Sequence, residues 1–287
     1  MSDVKVLVDE RVRLVTAVLA GSRWPEEEQA TLAHAVHPHA KQLRQWVLAM
    51  KDHPAVVQLN EWLAAGIDVS VVVTAVLHCR GAALEPVGEL PVPVTAEWLQ
   101  AVADFARQAR LAEFWADPVQ QAHWQTAMKD LEAIFRDSYL PELLTRLIRK
   151  PVPDVVVMPN LAYPALIPVL ARGETAIYLL LPPPKAVGES PPWPYAEDPN
   201  WVLVNCMREL VNYLLARQLV HLSGEQRESL IHAAAALLLE MDMDELEAQS
   251  YLVRIRREHR LPDLPEVVER LRAFVTEGNG RSLAEIL

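Results

Sequence analysis

Apolar residues in this chain recur mostly at helical spacing. "DERVRLVTAVLAG" sets Val12, Val15 and Leu19 on one face and closes at Gly21, so it predicts a helix with a glycine stop. "WPEEEQATLAHAVHPHAKQLRQWVLAMKDHP" opens on Pro25 and three glutamates, which suit the first turn of a helix with its partial positive charge. Pro38 interrupts that segment and Pro54 ends it. Further helices are predicted over 55–65 and 69–80. "LEPVGELPVPVT" at 84–95 is a proline-rich loop, and Thr95 with Glu97 starts a helix that runs to Leu111. A long helical pattern from Pro118 to Ile148 breaks near Pro141.

Two windows leave this rhythm. "PDVVVMP" at 153–159 and "ETAIYLLLPPP" at 174–184 are short apolar runs bounded by prolines and predict strands. "KVLV" at 5–8 reads equally as a short strand or as a lead-in. The segment "PPPKAVGESPPWPYAEDPN" predicts an exposed, mobile loop, because its prolines cannot join a ladder or a helix interior. Helices follow over 199–221, 224–241, 243–260 and 264–277. The expected class is α+β, predominantly helical, with a small sheet. The chain divides into a helical region, 1–150, and a region 151–287 holding the strand pair and the last helices, or it forms one continuous domain.

Composition narrows the function classes. With 287 residues, 51% of them hydrophobic, the chain can bury a large core. A net charge of −11 repels phosphate backbones and argues against nucleic-acid binding. No run of about 18 apolar residues is present, so no membrane span is expected. The opening "MSDVKVLVDERV" lacks a signal-peptide run, which makes a cytoplasmic protein the expectation. Cys79 and Cys206 lie far apart and form no C-x-x-C pair.

Histidine carries most of the remaining candidate chemistry. His34, His37 and His39 cluster around Pro38, where a solvated helix junction is expected rather than a metal site. His53 precedes Pro54, a place for a helix cap. His78, beside Cys79, reads as core or near-core. His123, His221, His232 and His259 are isolated in sequence. No G-x-S-x-G elbow, glycine-rich phosphate loop or EF-hand loop occurs.

Several segments, taken in order, resemble a bacterial domain-of-unknown-function family of gluzincin-like zinc metallopeptidases with an H-E-F-x-H motif. They are "VDERVRLVTAVL", "MKDHPAVVQLNEWLAAGIDVSVVVTAVLH", "DVVVMPNLAYP", "ETAIYLLLP" and "NWVLVNCMRELVNYLL". The resemblance implies a zincin-like fold with its motif helix near 199–214. Matching "LVN" at 210–212 to the motif's close sets Val204 and Arg208 at the two histidine positions and Asn205 at the glutamate. Valine cannot ligate, asparagine cannot act as a base, and arginine repels a cation. In "ESLIHAA", Glu228 matches the family's third ligand and His232 replaces an arginine.

The resemblance therefore implies a scaffold without its catalytic zinc and without a cofactor. The leading expectation is a non-catalytic binding or regulatory module, with a peptide, a protein or a second copy of the chain as its partner. The alternatives are a hydrolase whose site gathers His53, His78, His232 and Glu228, or a structural and assembly protein. An Arg208–Glu228 ion pair is expected in place of the metal, and the loop over 182–198 is expected to overhang the cleft.

Overall fold

Helix α1 (Glu10–Gly21) is held at its start by Asp9, whose carboxylate accepts from the Arg11 backbone N–H at 2.9 Å. The Arg11 guanidinium grips the same carboxylate and also donates to the carbonyls of Leu77 and Cys79, at 3.1 and 2.6 Å. From Leu14 to Gly21 every residue of α1 is buried. The apolar face seen in the sequence is thus only part of what the helix buries, because it runs through the middle of its unit.

The structure is a computed structural model that describes all residues except 1–3, 32, 163–167, 185–190, 278–282 and 284–287. The chain forms two compact units. The first holds Lys5–Glu132 and Val156–Glu197, and the second holds Met1–Val4, Ala133–Val155 and Asp198–Leu287. This differs from the 1–150 and 151–287 partition. The segment carrying the strand pair groups with the N-terminal helices, because those strands pack on them.

Around α1 the first unit arranges α2 (Trp24–Thr31), α3 (Pro38–Val47), α4 (Pro54–Ala64), α5 (Val69–Leu77) and α6 (Ala96–Gln108). α7 (Leu111–Ala116) and α8 (Pro118–Phe135) follow. Strands β1 (Val4–Val6), β4 (Asp154–Pro159), β5 (Val169–Arg172) and β6 (Ala176–Leu181) form a sheet in the order β1-β4-β6-β5, and β2 (Cys79–Arg80) pairs with β3 (Glu85–Pro86). Val155 to Met158 of β4 are all buried, as an unbroken apolar run requires when both faces are covered.

The predicted strands are present, and three further strands, β2, β3 and β5, were not expected. β5 lies in the stretch between β4 and β6 and pairs antiparallel with β6, Val169 opposite Leu180. The turn joining them uses Gly173, where a Cβ would sit 2.7 Å from the Tyr178 ring. The β2–β3 hairpin ends α5 at Leu77, short of the expected boundary at 80.

The proline-rich loop is exposed as expected at Pro191, Trp193, Pro194, Ala196 and Glu197, but it is anchored at three points. Pro182, Pro184 and Tyr195 are buried, and the Tyr195 hydroxyl donates to the Leu181 carbonyl at 2.6 Å. Residues 185–190 of that loop, and the mobility expected there, lie outside the described residues.

The second unit is helical: α9 (Leu140–Ile148), α10 (Pro199–Leu214), α11 (Ala216–Leu219), α12 (Gly224–Asp242), α13 (Glu245–Glu258) and α14 (Leu264–Glu277). α12 opens with a capping box between Ser223 and Gln226. It packs against α10, α13 and α14, and every residue from Ser229 to Leu239 is buried. The run Ala233–Ala236 lets those neighbours approach closely. The chain is predominantly helical with a small sheet, and no described helix is long and apolar enough to cross a membrane.

Candidate functional site

The Met243–Asp244 turn folds α13 back along α12, and its Asp244 carboxylate caps α13 by accepting from the Glu247 N–H at 2.9 Å. In such a hairpin, residues equally far from the turn meet. Glu228, near the start of α12, therefore faces His259, the residue that closes α13. His232, one turn along α12, faces the same space. One ligand atom from each of Glu228, His232 and His259 lies within 4.8 Å of the others.

His232 is 1% exposed. Its Nδ1 lies 2.5 Å from the Tyr251 hydroxyl, and its ring centroid is 4.6 Å from that of His259. Its Nε2 is 3.4 Å from Glu228 Oε2, but the geometry is not that of a hydrogen bond, and this buried nitrogen has no partner. Burial first, and then the charges of Arg208 and His259, hold the His232 pKa down to about 3. The ring is neutral near neutral pH, so its closeness to Glu228 is not a salt bridge. Burial also pushes the Tyr251 hydroxyl well above its ordinary value, which keeps it a phenol.

On α10 the matched motif positions hold no ligand set. Val204 is buried, and the Asn205 amide turns back to donate to the Trp201 carbonyl at 2.7 Å. Arg208 keeps its Nε buried without a partner. The expected Arg208–Glu228 ion pair does not form. Among the described residues, the basic group within ion-pair distance of Glu228 is His232. Arg208 is felt electrostatically by His232, Tyr251 and Glu209 instead. The half-exposed Glu228 carboxylate reaches water and needs no guanidinium to offset its burial.

His53 and His78 belong to the first unit, and the cluster on α12 and α13 is made wholly from the second. His53 caps α4, accepting from the Ala55 N–H at 3.2 Å, while its Nε2 lies 3.2 Å from Asp104. His78 closes α5. The His37–His39 junction is not solvated as expected. His37 caps α3, and His39 is fully buried. Trp124 donates to His39 Nε2 at 3.1 Å, so the proton sits on Nδ1, which donates to Gln120 Oε1 at 2.6 Å. Both nitrogens of His39 are used, which leaves no lone pair for a metal.

Sequence reading missed His259 and Tyr251. Neither lies in a motif, and only the hairpin brings them to His232. The equal spacing of Glu228 and His259 about the turn was the available signal. Comparison with protein-family models, with curated proteins and with solved structures finds no match to this chain.

Proposed function

We propose that the chain is a non-catalytic, metallopeptidase-like protein whose second unit serves as a binding or regulatory module. The observation that carries this reading is the state of α10. Its side chains at the matched positions are a buried valine, an asparagine turned onto its own helix and an arginine. A hydrolytic zinc needs imidazoles and a carboxylate there to hold the ion and to deprotonate its water. This helix supplies neither at those positions. α10 packs against α12, so the buried face that carries Val204 serves packing.

The test is peptide hydrolysis by the full chain, supplied with excess zinc and assayed on a mixed peptide library. No turnover above a heat-treated control is expected. Chelator-sensitive cleavage that co-purifies with the chain would overturn the reading.

A further inference from the structure

The geometry points to a divalent transition-metal site formed by Glu228, His232 and His259, separate from the motif positions of α10. Three observations converge. The three candidate ligand atoms share one small space. They come from the start of α12 and the end of α13, two elements fixed against each other by the hairpin. The central ligand, His232, is buried and aims an unpartnered Nε2 into that space, while its Nδ1 is fixed by Tyr251.

The contrast with His39 sharpens the point. Both histidines are buried, yet His39 has a protein partner on each nitrogen and His232 on one alone. A buried polar atom left without a partner is costly, so a ligand for it is expected. The bond between His232 and Tyr251 is the kind that orients a metal-bound imidazole through its far nitrogen.

The dimensions fit. Ligand atoms around a tetrahedral zinc, at about 2.0–2.1 Å from the ion, stand about 3.3 Å from one another. Glu228 Oε2 and His232 Nε2 are already 3.4 Å apart. His259 is exposed at the end of its helix, so its ring can close the remaining gap. Two imidazoles and one carboxylate select zinc, cobalt or nickel over magnesium and calcium, which demand oxygen. Three protein ligands leave a fourth position open to water.

The site deepens the binding-module reading and rests on it, and its test separates the two. The full chain, stripped with a chelator, is titrated with zinc chloride by calorimetry alongside His259→Ala and Glu228→Gln. Both changes fall on exposed or half-exposed side chains, so the fold survives them. His232→Ala is avoided, because it opens a buried gap. One equivalent of zinc is expected to bind, weakened by about tenfold or more in each variant. Magnesium is expected to give no heat.

No stoichiometric binding, or binding indifferent to both variants, overturns the site. Peptide hydrolysis is assayed in the same zinc-loaded samples. Binding without hydrolysis supports both proposals. Neither binding nor hydrolysis removes the metal site and leaves the module. Hydrolysis overturns the module.

Discussion

His232 Nδ1 and the Tyr251 hydroxyl sit 2.5 Å apart, joining α12 to α13 inside the second unit. The bond satisfies the one nitrogen of His232 that has a protein partner. Tyr251→Phe leaves that nitrogen buried and unpaired without changing the packing of the ring. A loss of about 1–3 kcal/mol in urea denaturation is expected. A change near zero would mean that Tyr251 contributes packing alone.

Acid sensitivity follows from the buried histidines. Burial lowers His39 and His232 to about 3 and His37 to about 4, all from 6.5. The unfolded chain takes up protons below pH 6.5 that the native fold does not. Their contribution is therefore complete above pH 6.5 and is lost as the pH falls from there towards their native values. The slope is about 1.4 kcal/mol per pH unit for each histidine. Urea midpoints for His39→Gln should vary with pH less steeply than those of the parent between pH 6.5 and 4.5. Equal slopes would place His39 in solvent.

Arg208 and Glu228 form no ion pair or hydrogen bond, so no strong direct coupling between them is expected. In a double-mutant cycle with Arg208→Ala and Glu228→Ala, a stability coupling below about 0.5 kcal/mol is expected. A coupling of several kcal/mol would restore the direct clamp between the helices that the resemblance implied.

Helix α12 depends on small side chains. Ala234 is fully buried amid α12's contacts with α10, α13 and α14. Ala234→Leu forces those neighbours apart and should cost about 1–3 kcal/mol by thermal or chemical denaturation. A neutral result would show slack in that packing.

Most helices were legible because their signals are local. Thr95 accepts from the Trp98 N–H at 3.3 Å, and Ser223 builds its capping box, where cap and periodicity together announce a start. Gly21 has a second role that was not legible. It ends α1 as expected but lies in the core, where a Cβ would touch Val56, Val47 and Phe105. β5 was not legible, because "VLAR" becomes a strand only by pairing with β6. The candidate site was half legible. Glu228 and His232 stand one turn apart on one helix, whereas His259 and Tyr251 join them only through the tertiary hairpin. The expected pairing of Arg208 with Glu228 does not form; spacing along a helix does not say how far a long side chain reaches.

The central claim is that α10 has no metal chemistry and that α12 with α13 has. The most direct measurement is an anomalous difference map at the zinc edge, from crystals of the zinc-loaded chain. The account predicts one peak, bounded by Glu228, His232 and His259, and none beside Val204 and Arg208. A peak against α10, or no peak at the α12–α13 cluster, would contradict it.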